Sequence, residues 1–343
     1  MNNANIKKGK VTHRNMKTKT ILDVIPFNDV FYKGCFYNSL FTLFLYYNID
    51  IYKYVINDVI YYNYQQETGL ISSEYLETKS LYDSFKEDSI QFFTEKCCKD
   101  ILGKVITAID NGRPSIVVYD PYYNSVRQDV YKKMHLSHSI LINGYDRVHQ
   151  LIYAIEHQQW ENLAYEQLTI PFKDIHESYY KGINQDSNAP FTYFDIVYNS
   201  PIFIDLGTLQ ARFQQCMIEN KTTLTEGLHS LNCFIDNFSA VSLDQEKLKH
   251  KLNDYLNSLN SIISSKQIEK YRLAHLFGKN SKLISSVETV IENWSKVRVY
   301  LGKYLYSGVY DRNNFLRSRF ELEKLFIEEE NFIANITSPK LLY

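Results

Sequence analysis

Glycine and proline are scarce, 12 and 7 in 343 residues. So few glycines exclude collagen-like and propeller designs and argue against a Gly-rich dinucleotide-binding turn. Net charge is also nearly absent. Lys+Arg number 38 and Asp+Glu 39, a formal balance of −1, which leaves no overall electrostatic footprint for nucleic acid or an anionic membrane. No run of ~18 apolar residues is free of charge, so no membrane span is expected. Cys35, Cys97, Cys98, Cys216 and Cys233 are too few and too scattered for a disulfide framework. Neither Cys-x-x-Cys nor His-x-x-x-His occurs, so no zinc site is expected. Residues 1–20 are basic and lack the apolar run of a signal peptide. They read as a flexible arm on a cytoplasmic protein.

Aromatics, by contrast, are abundant: 29 tyrosines, 20 phenylalanines and 2 tryptophans. With 45% hydrophobic and 22% charged residues the chain has the composition of a folded globular protein. Residues 21–34 read as extended. Cys35 then opens an apolar segment in which Leu40, Leu43, Phe44 and Tyr47 recur at helical spacing. A second helix is expected over 51–64, and a third over 89–110, where Asn111-Gly112 supplies a stop. The segments 114–119, 138–145, 151–156, 166–170 and 192–198 read as strands of an antiparallel meander, with a short helix near 172–181. After Ser200-Pro201 the pattern is helical to the end, over 205–220, 223–238, 243–276, 281–306 and 312–334. The expected architecture is therefore α+β, with a mixed domain at 21–200 and an α-helical domain at 201–343.

One ordered set of residues carries chemistry. A cysteine nucleophile acts as a thiolate, and a helix N-terminus stabilises that charge. Cys35 stands where a helix begins. An imidazole must take the thiol proton and later return it to a leaving group, and His138 opens a strand. A third group orients the imidazole, and Glu156 ends the next strand, 18 residues on. Asp146 and Asp120 are alternatives for that third role, and His135 competes with His138. Cys97 and Cys98 lie in a helical stretch and read as packing residues, while Cys216 and Cys233 have no acid–base company.

The order of Cys35, then His138 in His-x-x-x-x-x-Gly-Tyr-Asp, then an acid on the following strand resembles papain-like cysteine enzymes, with the bacteriocin-processing peptidases nearest among peptidases. The run Gly-Arg-Pro-Ser-Ile-Val-Val-Tyr-Asp-Pro-Tyr-Tyr (112–123) and the segment Tyr131-Lys-Lys-Met-His135-Leu-Ser-His138, continuing into Gly144-Tyr-Asp, resemble the butirosin biosynthesis protein H-like family over residues 25–200. That resemblance implies a papain-like domain followed by a helical one. It implies an acyltransferase that takes an acyl or aminoacyl group from the phosphopantetheine thioester of an acyl or peptidyl carrier protein, as in nonribosomal peptide chemistry. The group passes through Cys35 to an amine on a natural-product scaffold. Cys35 is then the nucleophile, His138 the base and acid, and Glu156 the orienting acid. The family usually has Asp where this chain has Glu156. Papain-like enzymes also place an amide side chain upstream of the cysteine, and Asn28 is the amide here, a candidate oxyanion donor. Tyr37, Asp120 and Tyr123 are expected to line the site. No resident cofactor, nucleic acid or membrane partner is implied, and the helical part could form a homodimer. Two other readings share the chain's features: a cysteine peptidase or amidase with the same triad, and a non-catalytic protein that binds a carrier.

Overall fold

The computed structural model describes residues 17–159, 164–183, 190–198 and 203–338. Along the chain come β1 (Lys19–Ile21), α1 (Cys35–Tyr46), α2 (Tyr52–Val55), β2 (Asp58–Gln65), β3 (Leu70–Glu77), α3 (Leu81–Glu87), β4 (Gln91–Glu95), α4 (Ile101–Asp110) and β5 (Ser115–Tyr119). A 3₁₀ turn (Pro121–Tyr123) leads to β6 (His138–Asp146), β7 (Leu151–Glu156), β8 (Glu166–Pro171), α5 (Phe172–Ile183) and β9 (Tyr193–Val197). Five helices follow: α6 (Leu206–Glu219), α7 (Lys221–Ser242), α8 (Gln245–Phe277), α9 (Lys282–Ser307) and α10 (Arg312–Ile336). The class is α+β. No helix among the described residues is long and apolar enough to cross a membrane.

The chain divides into two compact units. The first comprises Met1–Asp23, Thr94–Gln159 and Glu166–Asp195; the second comprises Val24–Phe93, Trp160–Tyr165 and Ile196–Tyr343. Residues 24–93 thus group with the C-terminal helices, a partition that differs from a single boundary near residue 200. That boundary itself lies at 199–202, outside the described residues. Of the arm at 1–20, residues 1–16 also lie outside them, while Lys19 and Thr20 belong to β1.

The sheet of the first unit, to which β4 contributes its last two residues and β9 its first three, has the order β4-β9-β5-β6-β7-β8, with β1 also pairing with β6. The pairs β1–β6, β5–β6, β5–β9, β6–β7 and β7–β8 are all antiparallel. The meander expected from the β-branched runs is present as β5 to β8. β6 is buried along its whole length, which its apolar run Ile140-Leu-Ile demands. Ile101, Val105 and Ile109 of α4 join Val117, Ile140, Ile152, Ile175 and Tyr179 in one core. The register of β6 against β7 shifts between Ile142 and Gly144, a bulge at Asn143. There Asn143 O accepts from Leu22 N (2.8 Å), and Asn143 Nδ2 donates to Leu22 O (3.0 Å) and to Gln167 Oε1 (2.9 Å). Gly144 is needed at this point: a Cβ would stand 2.8 Å from Thr20 O.

In the second unit the hairpin β2–β3 contributes Tyr62 and Ile71 to a core with Leu231, Phe234, Tyr255, Trp294 and Val297. Two expectations are corrected here. Residues 51–64 are not one helix but the four-residue α2 followed by β2. The segment Val59-Ile-Tyr-Tyr is rich in β-branched and aromatic residues, and an antiparallel partner in β3 decides in favour of the strand. The expected helix over 89–110 is β4 and then α4. Asp100 interrupts it, because its side chain accepts from Gly103 N and caps a new helix start.

Candidate functional site

Cys35 is the first residue of α1, half-buried and reduced. The loop that delivers it is tied to α1 from within the second unit. Asn38 is buried, and its Oδ1 accepts from Tyr32 N (2.9 Å) while its Nδ2 donates to Val30 O (3.1 Å). Thr42 Oγ1 accepts from Phe27 N (3.0 Å). Lys33 takes a left-handed φ of 53°, which costs a residue with a Cβ about 1–2 kcal/mol. Its ammonium pairs with buried Asp58 at 2.8 Å, and Tyr32 also bonds Asp58. The thiol is therefore presented at the positive end of a helix by a braced turn, where the dipole favours an anion.

The other sequence-derived residues of this unit have definite places. Tyr37 meets Tyr32 edge-on at 5.2 Å, and Lys33 lies 5.0 Å from its ring centre. Burial first, then Glu77 and Asp58, push its phenol up to about 12, so it is a hydrogen-bond donor at neutral pH. Asn28 is engaged at both ends of its amide. Nδ2 donates to Tyr165 O (2.9 Å), and Oδ1 accepts from Tyr165 N (2.7 Å). An open cavity of about 360 Å³ borders this segment, lined by Asn28, Asp29, Phe31, Asn38, Ser264 and Gln267.

In the first unit, His138 and Glu156 come together. Leu141 and Ile155 pair across β6 and β7, so the antiparallel ladder carries His138 and Glu156 to one end of the sheet. His138 Nε2 lies 3.0 Å from Glu156 Oε1 and 2.9 Å from Oε2, with both side chains buried. Arg127 Nη1 is 3.3 Å from the same Nε2. The nitrogen cannot donate to the carboxylate and accept from the guanidinium at once. Two acceptors 2.9 Å apart would repel in a buried site, so the proton is assigned to Nε2 and given to Glu156. The ring's basic lone pair is then on Nδ1.

Glu156 is the hub of this cluster. Its oxygens accept from Tyr119 OH (2.9 Å) and His157 N (2.7 Å), and Arg127 Nη1 lies 3.4 Å away. Burial pushes the Glu156 carboxyl up, but the electrostatic pull and hydrogen bond of His138, followed by the Arg127 guanidinium and His157, outweigh it and hold the group below the ordinary range. Arg127 is itself enclosed, gripped by Asp129 through Nε (3.0 Å) and Nη2 (2.9 Å). Burial works against its charge, and Asp129 and Glu156 more than restore it. His157 meets His138 edge-on at 5.2 Å. Burial lowers the His157 imidazole to about 4, against the pull of Glu156.

His138, Glu156 and His157 offer ligand atoms within 4.8 Å of one another, a set that could hold a metal ion. Arg127 already places a cation against two of the three, and a divalent ion would have to share that space with its charge. Asp120 has partners of its own. It pairs with His135 (Nδ1 to Oδ2, 2.6 Å) and accepts from Tyr122 N (3.0 Å) and Leu136 N (3.3 Å). Gly182 lets α5 approach it, since a Cβ there would be 2.5 Å from Asp120 Cβ. Tyr123 borders this second pair, its ring 5.9 Å from that of His135. Asp146 pairs with His149 (3.0 Å) and Lys19 (3.5 Å) instead. Arg127, His157 and Asn38 were not anticipated. His157 directly follows Glu156, so its identity was a usable signal, whereas Arg127 sits in an aperiodic loop. No family model matches the chain, and no curated protein matches it.

Proposed function

We propose that the chain is a papain-like cysteine acyltransferase that moves an acyl or aminoacyl group from a carrier-protein thioester to an amine acceptor. The observation that carries the reading is the buried His138–Glu156 pair, 2.9 Å apart, with the imidazole tautomer fixed by an ionised carboxylate. The placement of Cys35 at the start of α1 supports it. In the proposed reaction the Cys35 thiol gives its proton to His138, and the thiolate sulfur bonds the thioester carbonyl. The carbon–sulfur bond to pantetheine breaks, and the departing thiol takes the proton from His138. The acceptor amine then attacks the Cys35 thioester. Its proton passes through His138 to the cysteine sulfur as the amide leaves. Glu156 keeps the imidazole oriented and stabilises its protonated form.

The test uses acyl-pantetheine thioesters as donors. Wild-type protein should gain one acyl mass on Cys35, Cys35→Ala none, and His138→Ala should acylate about 10²–10⁴-fold more slowly. Added amine should yield amide. Acylation followed only by release of free acid, whatever the amine, would move the assignment to a peptidase or amidase. If no adduct forms and iodoacetamide labels Cys35 no faster than exposed Cys97, the cysteine-enzyme reading fails.

A further inference from the structure

We infer that α10 is a self-complementary docking surface that pairs antiparallel with α10 of a second copy of this chain. At 100° per residue, the buried positions Phe315, Ser318, Leu322, Leu325, Phe332, Ile333 and Ile336 occupy one side of the helix. Directly opposite, Leu316, Phe320 and Ile327 fall within about 40° of one another. They are 46%, 56% and 56% exposed, an apolar stripe on a helix whose other face is already satisfied. Val299 of α9 is exposed as well.

The charges beside this stripe identify the occupant. One flank carries Arg312 and Arg319 in the first half of the helix and Glu323 and Glu330 in the second. A two-fold axis sets like flanks of an antiparallel pair against each other. With the axis near residue 321, Arg312 meets the second copy's Glu330, and Arg319 meets its Glu323. The same register sets Leu316 against Ile327 and brings the two Phe320 side chains near the axis. Four ion pairs and one apolar seam thus come from a single helix. Arg319 now pairs with Glu323 within its own helix at 2.9 Å, so that contact is exchanged rather than created, while Arg312 has no ion pair among the described residues. Arg317 and Lys324 on the opposite flank face each other across the pair and repel, which makes the dimer a reversible one. Lys324 also covers Phe320, its ammonium 4.3 Å from the ring centre.

Sedimentation of the full chain over a hundredfold concentration range should show a monomer–dimer equilibrium. Arg312→Glu/Arg319→Glu and Glu323→Arg/Glu330→Arg should each weaken self-association at least tenfold. Mixed in equal amounts, the two variants should form a heterodimer tighter than either homodimer, an outcome that misfolding cannot produce. A wild-type chain that stays monomeric throughout, or variants that dimerise as wild type does, would overturn the inference. In the monomeric case the stripe would belong to a different protein.

Discussion

Replacing Arg127 by Met probes the cluster around Glu156 at its most enclosed point. The guanidinium is fully buried, makes two charged bonds to Asp129 and stands 3.4 Å from Glu156. Methionine fills much of the volume but leaves a buried carboxylate short of one cation. Breaking one partner of a buried pair costs about 3–5 kcal/mol. Glu156 keeps its bonds from Tyr119, His138 and His157 N, so the lower half of that range is expected. The cost should depend on Glu156. In a Glu156→Gln background the same replacement should be cheaper by about 1–2 kcal/mol, the coupling energy of neighbouring charged groups. The sign with pH follows from the depressed Glu156 carboxyl. Its stabilisation is present above the unfolded carboxyl value near ~4.3 and is lost as pH falls through the lower folded value. The difference between wild type and Arg127→Met should therefore be large at neutral pH and shrink in acid. Hydrogen exchange of β6 and β7 amides reads the opening free energy of this unit directly. A cycle additive to within about 0.5 kcal/mol, or a penalty unchanged between neutral pH and acid, would refute the argument.

His157→Phe should flatten the acid limb of stability. The buried imidazole titrates at about 4 against ~6.5 when unfolded, so wild type loses up to about 3 kcal/mol as pH falls between those values. Urea midpoints at both ends of that window measure it, and an unchanged slope would contradict it. Asn38→Ala removes the acceptor for Tyr32 N and the donor to Val30 O. About 1–3 kcal/mol of stability should be lost, and the iodoacetamide rate of Cys35 should fall towards that of Cys97. Unaltered stability with an unaltered rate would show that the bracing of the loop is unimportant.

The C-terminal helices were readable because two signals agree. Leu248, Leu252, Leu259 and Ile262 keep a helical period, and Asp244, Ser281 and Asp311 cap successive starts. The expected 243–276 and 281–306 differ from α8 and α9 by at most two residues at either end. The hairpin β2–β3 was not readable in the same way. Val55, Ile56, Val59 and Ile60 fit a helical face, and only pairing with Leu70–Glu77 fixes residues 58–65 as a strand. The short run satisfies both periods, and its β-branched and aromatic content is decided only by the partner strand. The grouping of residues 24–93 with the C-terminal helices is equally a matter of packing. That Glu156 could reach His138 was legible from strand length and turn, with Asp146 and Asp120 left as alternatives. Arg127 was not, because residues 124–137 have neither period, and an enclosed arginine has the same sequence signature as a solvated one.

The choice among three acids for His138 follows from the topology. β6 lies between β5 and β7, and the end of each flanking strand brings one carboxylate to the start of β6. Asp120 follows the last residue of β5, and Glu156 is the last of β7. His135 lies in the irregular segment before β6, whereas His138 is the first residue of the strand, and each has its own acid. His135, 43% exposed, takes Asp120, and His138, 4% exposed, takes Glu156. The same charge pair is worth several times more in the interior than at the surface. A tautomer preference at the surface pair is open to competition from water, whereas the one at His138 is locked by a carboxylate that four donors surround. Asp146 is at the far end of β6 and is occupied by His149 and Lys19. A glutamate at the end of β7 thus reaches the imidazole without help from either aspartate, and Tyr119 and Arg127 also hold its carboxylate.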